Sequence, residues 1–324
     1  MRAPCDACAG AMIELFYAAP ALLILALGIY ATFARDAFAA CAGYLAYGLL
    51  LTVAWVQLGG VDVALTEAAI GGGLTGVLLV RACAKLPAED SGLRAARPGV
   101  PLRWLAALAA LGVSASLAYA VLALPVPAPT LAPEALAKLA ATGVGNPITA
   151  VLLAYRAMDT MLEAIVLLLA LVGIWSLAPD RAWGGRPGPR YEADPHGILA
   201  FIARVLPPIG LVVGIYIFWV GADHPGGKFQ GATIVAAMWL LTMMAGLTDA
   251  PPVSRRLLRL LLVAGPLVFV AIGVYGAFAA GAFLGYPEGF AKPLIIVIEI
   301  ALMPSLALTL ALMLAGAPQR SVAT

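Results

Sequence analysis

Charged residues are scarce in this sequence. Aspartate, glutamate, lysine and arginine make up 11% of its 324 residues, whereas hydrophobic residues make up 63%. So few charged side chains cannot cover the surface of a soluble globule of this size, and the mean hydropathy is +1.00. The composition therefore predicts an all-α, polytopic membrane protein surrounded by the lipid bilayer. The net charge of +2, without a basic stripe and interleaved aromatic residues, gives no indication of a nucleic-acid partner.

Cysteine and histidine are also few, which limits metal and redox chemistry. Of the four cysteines only Cys5 and Cys8 have the spacing of a metal or redox pair. A zinc or iron–sulfur site needs further soft ligands close by, and the first hundred residues contain no histidine. We therefore expect no metal site and no cofactor, and an inert N-terminal tail, with a metal or redox role of the pair as the alternative. The N-terminus lacks the pattern of a cleaved signal peptide, so we expect the first helix to be retained.

Long apolar runs divide the chain into helices. Runs of about 20 apolar residues can cross a bilayer, and they predict about nine transmembrane helices, at about 13–33, 38–58, 61–80, 102–124, 157–177, 198–220, 229–247, 257–280 and 293–315. A short amphipathic segment at 134–141 predicts one interfacial helix. The linker at 179–195 is rich in glycine, proline and arginine and has no hydrophobic periodicity. It indicates a boundary between two formerly separate parts of the chain. We therefore predict a three-helix segment at 1–95, a two-helix segment with the interfacial helix at 96–190, and a four-helix domain at 191–324.

Lysine and arginine concentrate in three of the predicted loops. With nine helices, all three loops fall on one side of the membrane. Because basic loops stay in the cytoplasm, we predict a cytoplasmic C-terminus and an N-terminus outside the cell. The basic residues in or directly beside these loops are Arg81, Lys85, Arg94, Arg97 and Arg103; Arg181, Arg186 and Arg190; and Arg255, Arg256 and Arg259.

Five carboxylates lie within the third, fifth and last predicted transmembrane helices. An ion at that depth is costly unless it is paired or hydrated, so each carboxylate is a candidate for ion transfer. The five are Asp62, Glu67, Asp159, Glu163 and Glu299.

The third predicted helix carries two of these carboxylates. Asp62 and Thr66 are four residues apart and share a face, whereas Glu67 is rotated about 100 degrees away. Asp62 is either an N-cap of this helix or part of an ion path. Glu67 lies too deep for capping, so it either relays a proton or cation or forms a structural hydrogen bond. The glycines at 71–73 allow a neighbouring helix to approach closely.

The fifth and the last predicted helices carry the other three. Asp159 either forms an ion pair with Arg156 at the start of the helix or takes part in transfer. Glu163 lies one turn deeper, with no cation in reach on its own helix, and is the strongest candidate for a proton relay. Glu299 is flanked by isoleucine and valine, so it must face protein or water. It either packs against a polar residue of a partner or transfers ions.

The glycine-rich stretch at 221–231 lies between the sixth and seventh predicted helices. It is either a tight turn or the lining of a polar vestibule at the outer surface, because glycines allow close backbone approach. The lone His224 is more typical of a surface or cavity histidine than of a metal ligand. The vestibule residues that we predict are Asp223, His224, Lys228 and Gln230.

Three motifs carry a family resemblance. The stretch 221–231 resembles the Gly-His-Asn-x-x-Pro-Gly-Gly-Gly-Phe-Gln-Gly signature of the B-type subunits of the Mrp-type multisubunit sodium/proton antiporters, with Glu299 near the matching Ile-Glu-Ile element. The segment that begins at Asp62 resembles a Pro-Asp-x-Ala-Leu-Thr-Glu/Gln element. The segment from Tyr155 to Glu163 resembles an Asp-Phe-Arg-Gly-Phe-Asp-Thr-Leu-Gly-Glu element. The last two elements belong to the C-terminal region of the large A-type antiporter subunits and to small subunits of membrane-bound hydrogenases.

The resemblance implies a long B-type subunit, in which a C-terminal piece of an A-type protein is fused to a B-type domain. It implies a non-enzymatic ion-path or assembly subunit in a bacterial inner membrane, with antiporter-like and small subunits as partners and with Na+ or another monovalent cation and H+ as the ions. Two residues depart from the pattern. Ala154 replaces an aspartate and Leu162 a glycine, so a cation site built on that pair of carboxylates would lose one member.

The chain has no membrane-embedded lysine in the centre of a long broken helix with a paired glutamate. We therefore expect an accessory subunit that works only within a larger complex. Two alternatives remain: a membrane-arm subunit of a redox-driven complex related to complex I or a hydrogenase, and an assembly scaffold without a role in ion transfer.

Overall fold

The computed structural model describes residues 3–85 and 99–320, with side chains at 15–84 and 99–320. This part of the chain is mostly helical and has almost no strand, which confirms the prediction of an all-α, polytopic membrane protein. The helices are α1 (Ala3–Phe33), α2 (Ala37–Gln57), α3 (Val61–Glu67), α4 (Thr75–Lys85), α5 (Val100–Leu122), α6 (Ala132–Ala137), α7 (Leu139–Thr142), α8 (Pro147–Ala150), α9 (Ala157–Ser176), α10 (Ile198–Val220), α11 (Lys228–Met244), α12 (Arg256–Ala279) and α13 (Ala291–Ala315).

Two stretches of π-helix interrupt the α-helices. Ala68–Leu74 joins α3 to α4, and Val151–Tyr155 leads from α8 towards α9. The first coincides with the glycines at 71–73, which weaken the α-helical preference locally. Each π-helical stretch lies next to a carboxylate-bearing helix, so both influence which way those side chains point.

Eight helices of the described part are long and apolar enough to cross a membrane, with Val61–Ala84 counted as one span. The remaining predicted span, at 229–247, is α11, which has 17 residues. Each predicted span is therefore helical, and apart from the N-terminal end of α1 its bounds differ from the prediction by only a few residues. In lipid every backbone N–H and C=O must be paired within the segment, which is why long apolar runs predict helices so directly.

The connections between the spans differ more from the prediction. The single interfacial helix is two short helices, α6 and α7, which are separated at Lys138. The linker at 179–195 contains a short strand β1 (Arg186–Pro187), which pairs antiparallel with β2 (Pro318–Arg320). No sequence signal predicts this pairing, because two- and three-residue strands have no periodicity. The boundary expected at 95/96 lies outside the described residues, as do the side chains of Cys5 and Cys8.

Helix α13 lies in the centre of the bundle. It packs against α9, α11 and α12, and it carries more buried residues than any other described helix. The main core is built from side chains such as Phe269, Ile295, Ile298 and Leu302. By contrast, α5 is exposed along its whole length in the isolated chain.

The two ends of the bundle differ in their polar contacts. At one end Arg81 donates a hydrogen bond to the carbonyl oxygen of Leu314, and Asp249 pairs with Arg186 and Arg320. The described parts of the basic loops therefore meet at the C-terminal end of α13. The opposite end, near the start of α13, carries the groups described next. Which end faces the cytoplasm stays a prediction.

Candidate functional site

Asp62 links three segments of the chain. It lies in the first turn of α3, whose N-cap is Gly60, so the interpretation of Asp62 as the N-cap is wrong. Its Oδ1 accepts hydrogen bonds from the Gly226 backbone N–H at 2.9 Å and from Asn146 Nδ2 at 3.3 Å. The carboxylate is thus held by hydrogen bonds across the fold, and its own helix does not use it as a cap.

Asn146 is a site residue that the sequence analysis missed. Its side chain is buried, and Nδ2 donates to the carbonyl oxygens of Gly221 and His224 as well as to Asp62. Its Oδ1 caps α8 by accepting from the Ile148 N–H at 2.9 Å. An asparagine directly before a proline at a helix start is the available sequence signal.

Thr66 and Gln230 join α3 to α11. Gln230 Nε2 donates to Thr66 Oγ1 at 2.9 Å, and Thr66 Oγ1 donates to the Asp62 carbonyl oxygen at 2.9 Å. Gln230 is buried, and it belongs to the first turn of α11, beyond the end of the loop. Thr66 shares its face with Asp62, as the helical spacing predicts.

Glu67 points away from this group. A Cβ on Gly71 would collide with the Glu67 carboxylate, and a Cβ on Gly48 of α2 would lie 3.5 Å from it. Gly48 also packs against the backbone of Gly71 and Gly72, so these glycines do allow the close helix approach that was predicted. Glu67 therefore lies at the contact between α2 and the first π-helical stretch.

A cavity of about 300 Å³ lies between α3, α8, α9, α11 and α13. We call it the central cavity. It has room for several water molecules and is lined by both polar and apolar side chains. Its polar lining consists of Asp62, Thr66, Thr149, Thr160, Glu163, Lys228, Gln230 and Glu299.

Lys228 and Glu299 are the most deeply buried charged residues of this cavity. Their side chains are only 7% and 4% exposed. The charges of Glu299 and Glu163 both act on the Lys228 ammonium group. In the described part of the chain, Lys228 forms no direct ion pair with either carboxylate. Lys228 was predicted to line the outer vestibule, whereas the structure places it on the first turn of α11, where it lines the central cavity.

Glu163 and Asp159 occupy different positions on α9. Glu163 lines the central cavity and is exposed in the isolated chain, so it lies at the rim. Asp159 forms an ion pair with Arg156 at 2.5 Å, and both side chains are exposed. Asp159 is not among the residues that line the central cavity. Of the two alternatives predicted for Asp159, the ion pair with Arg156 at the start of the helix is the contact that is observed.

The loop at 221–227 is fixed at the end of the cavity that lies near the start of α13. Lys292 Nζ donates to the Asp223 carboxylate at 2.7 Å, and the Gly145 N–H donates to the same group at 3.0 Å. The hydrogen bond from Lys292 lowers the pKa of Asp223 below its ordinary value, although partial burial opposes this. His224 is exposed, and Gly226 and Gly227 have φ of 147 and 141 degrees, a backbone region that favours glycine.

A second, smaller cavity lies beneath this loop. It has a volume of about 150 Å³ and is lined by Asp223 and Lys292 on the loop side and by Glu299 on the inner side. We call it the outer cavity, and the loop at 221–227 the outer loop, after the orientation that the basic loops predict. Because Glu299 lines both cavities, its carboxylate stands between them. The arrangement can support proton transfer through water and carboxylates, since each step needs only a hydrogen-bonded neighbour.

Two family models match this chain. Residues 22–88 match MbhD, a family of MBH subunits. Residues 198–317 match a domain related to the MnhB subunit of Na+/H+ antiporter. The first segment contains Asp62 and Glu67, the second contains Lys228 and Glu299, and Glu163 lies between them.

A curated relative and two solved structures are similar to this chain. An uncharacterized protein of Methanocaldococcus jannaschii is 27% identical over 165 residues, or 44% of this chain and 60% of the relative. The chain thus spans about three fifths of the length of that relative. A structure of the Mrp complex from Dietzia sp. DQ12-45-1b matches with a TM-score of 0.71 and 24% identity, over 94% of this chain and 35% of that chain. This likeness shows a shared fold.

The second structure is that of the membrane-bound sulfane sulfur reductase, an archaeal respiratory membrane complex. It matches with a TM-score of 0.53 and 25% identity, over 66% of this chain and 99% of the matched chain. The two family segments stand in the order that the sequence motifs predicted. An MbhD segment is followed by an MnhB-related domain, and together these matches support an Mrp-type antiporter subunit related to MBH.

Proposed function

We propose that this chain is a non-catalytic ion-path and assembly subunit of a multisubunit antiporter that exchanges Na+ or another monovalent cation for protons. Its carboxylates Asp62, Glu163 and Glu299 transfer protons or cations. Other antiporter-like and small subunits complete the complex in a bacterial inner membrane, with the N-terminus outside and the C-terminus in the cytoplasm.

The central cavity is the observation that carries this proposal. It collects polar groups from the MbhD segment, from the MnhB-related domain and from α9 between them. A carboxylate within a membrane is costly, so three that converge on one cavity, with threonines and a glutamine beside them, are typical of an ion path. A scaffold without transport would not require this convergence.

The outer cavity supplies a route to the surface. From the exposed Asp223 and Lys292 it leads to Glu299, which also lines the central cavity. Glu299 lies eight residues into α13, or about 12 Å along the helix axis. An ion or proton that enters at the loop therefore reaches the central cavity by way of one carboxylate.

The exposure of Glu163 supports the need for partner subunits. In the isolated chain this carboxylate lies at the open rim of the central cavity. A glutamate on a membrane-spanning helix cannot face lipid without a large penalty, so a neighbouring protein surface or a water-filled path must adjoin it. The proposed path thus continues from Glu163 into another subunit.

The likeness to the sulfane sulfur reductase supports a second candidate, a membrane-arm subunit of a redox-driven complex. Purification of the complex in mild detergent separates the two. Copurifying subunits with iron–sulfur or nickel–iron centres would indicate the redox complex. Antiporter-like membrane subunits without a redox arm would indicate the antiporter.

Substitution of Glu163 tests ion transfer directly. In the assembled complex, Glu163→Gln keeps the shape of the side chain but cannot carry a proton. We expect it to reduce cation/proton exchange by more than about tenfold, since a positioned proton-transfer group contributes at least that much. Asp159→Asn is the matched control, four residues away on the same helix and outside the central cavity. Normal exchange by an assembled Glu163→Gln complex would contradict the proposal.

A further inference from the structure

Lys228 is the only described lysine or arginine that lines the central cavity. It begins α11 directly after Gly226 and Gly227, and its side chain is only 7% exposed. No hydrogen bond or ion pair within the described part of the chain holds its ammonium group. A buried lysine at the wall of a cavity, without a partner for its ammonium group among the described residues, requires an explanation.

The carboxylates of the central cavity differ in how their negative charges are compensated. Asp62 receives hydrogen bonds from Asn146 and from the Gly226 N–H, so its charge is largely satisfied. Glu299 and Glu163 are the two carboxylates whose charges act on Lys228. A buried charge is unfavourable without compensation, so the ammonium group and the two glutamates stabilise one another across the cavity.

A lysine in this position changes what the cavity can bind. A metal cation needs several oxygen ligands in direct contact, and its charge would be repelled by the ammonium group in the same small volume. Lysine adds three donors and no acceptor, so it also competes for the carboxylate oxygens that would ligate the metal. A proton needs only a carboxylate and a hydrogen-bonded water, which the ammonium group does not displace.

We propose that the Lys228 ammonium group is the resident cation of the central cavity, and that it makes this cavity a proton-transfer site from which Na+ is excluded. The inference rests on the proposed function and narrows it: this chain carries the proton part of the exchange, and the metal cation crosses elsewhere in the complex.

Carbodiimide labelling tests whether Na+ enters the cavity. Dicyclohexylcarbodiimide reacts with protonated carboxyl groups in apolar surroundings, and a bound Na+ protects a carboxylate by keeping it ionised. The purified complex is labelled at fixed pH with and without Na+, and labelled peptides that contain Glu163 or Glu299 are quantified by mass spectrometry. For the wild-type complex we expect the labelling rate to change by less than about twofold with Na+, since an unbound ligand gives no protection.

Lys228→Met removes the charge and keeps the length of the side chain. We expect Na+ now to enter and to slow labelling about tenfold when its concentration is about ten times its dissociation constant. Lys138→Met is the matched control, because it removes the same charge from an exposed position that lines neither cavity and leaves Lys228 in place. It should label like the wild type.

Two results would overturn the inference: protection of Glu163 or Glu299 by Na+ in the wild-type complex, or labelling of an assembled Lys228→Met complex that stays insensitive to Na+. If the Lys228→Met complex fails to assemble, Lys228→Gln, which retains a hydrogen-bond donor, replaces it in the labelling experiment. If both variants fail to assemble, the labelling of the wild-type complex with and without Na+ decides the question. The labelling reports occupancy by a cation and does not depend on flux. A failure of the proposed function would appear as normal exchange by the Glu163→Gln complex, so it is distinguishable from a failure of the inference about Lys228.

Discussion

Asp62 and Asn146 are 84 residues apart in the sequence, and a hydrogen bond of 3.3 Å joins their side chains. The contact connects the MbhD segment to the start of the helical region that carries Glu163. The same amide group also holds the backbone of the outer loop at Gly221 and His224. One buried asparagine thus aligns the three parts of the chain that form the central cavity.

We expect Asn146→Asp to separate the two roles of this residue. Aspartate still caps α8, but it places a second carboxylate beside Asp62 and removes the amide donor. If alignment of the segments is the main role, Asn146→Asp should lower the thermal stability of the complex as much as Asn146→Ala, by about 1–3 kcal/mol. Thermal unfolding of the complex in detergent is measured by heating samples and monitoring the intact complex by size-exclusion chromatography. If the Asn146→Asp complex unfolds at the same temperature as the wild-type complex, Asn146 acts only as a helix cap.

The ion pair between Asp223 and Lys292 predicts a pH dependence at the outer loop. The pKa of Asp223 is lowered from 3.8, chiefly by the hydrogen bond from Lys292. A folded-state pKa below the unfolded value means that the pair stabilises the loop above pH 3.8 and that this contribution is lost as pH falls through the folded-state pKa. Because both groups are partly exposed, the contribution should be small, about 0.2–1 kcal/mol.

Carbon-13 NMR of labelled aspartate carboxyl groups measures this pKa. We expect a value below 3.8 in the wild type and a return towards 3.8 in Lys292→Met. Glu288→Gln removes a different charge from the neighbouring loop and should leave the titration of Asp223 unchanged. If Lys292→Met leaves the pKa of Asp223 unchanged, the ion pair is absent in solution.

The packing of α10 on α11 depends on two facing glycines. A Cβ on Gly231 would approach the carbonyl oxygen of Gly214 to 2.5 Å and Phe218 Cβ to 2.9 Å. Gly231→Ala should therefore force the helices apart and lower stability by about 1–3 kcal/mol, as overpacking does. Gly112→Ala, where nothing lies within 4 Å of the added Cβ, is the control and should be neutral or slightly stabilising. Equal unfolding temperatures for the two variants would mean that the close approach does not exist.

The predicted topology is tested by labelling single cysteines at the two ends of the bundle. In a chain whose native cysteines are replaced, His224→Cys lies on the exposed outer loop and Ser254→Cys is exposed at the basic end. A membrane-impermeant thiol reagent should modify His224→Cys from outside the cell and Ser254→Cys only after the cells are opened. Labelling with the opposite preference would reverse the predicted orientation.

The sequence by itself determined the class of the protein and its helices, and its motifs indicated the resemblance to Mrp-type antiporter subunits that the family models support. Each long apolar run became a helix with nearly the predicted bounds, because in lipid the backbone can satisfy its hydrogen bonds only within the segment. The three motifs identified the family because they stand in a fixed order, and the family matches cover two of them. The spacing of Asp62, Thr66 and Glu67 also determined their relative directions, since helical geometry is local.

Only the tertiary structure decided which of the candidate residues meet. The rotation of each helix about its own axis depends on packing against its neighbours, and no local pattern encodes it. That rotation brings Glu163 and Glu299 into one cavity with Asp62, directs Glu67 towards α2 and leaves Asp159 at the surface. Burial of Lys228 and the hydrogen bonds of Asn146 arise from contacts between segments far apart in the chain, and these contacts form only when the helices assemble.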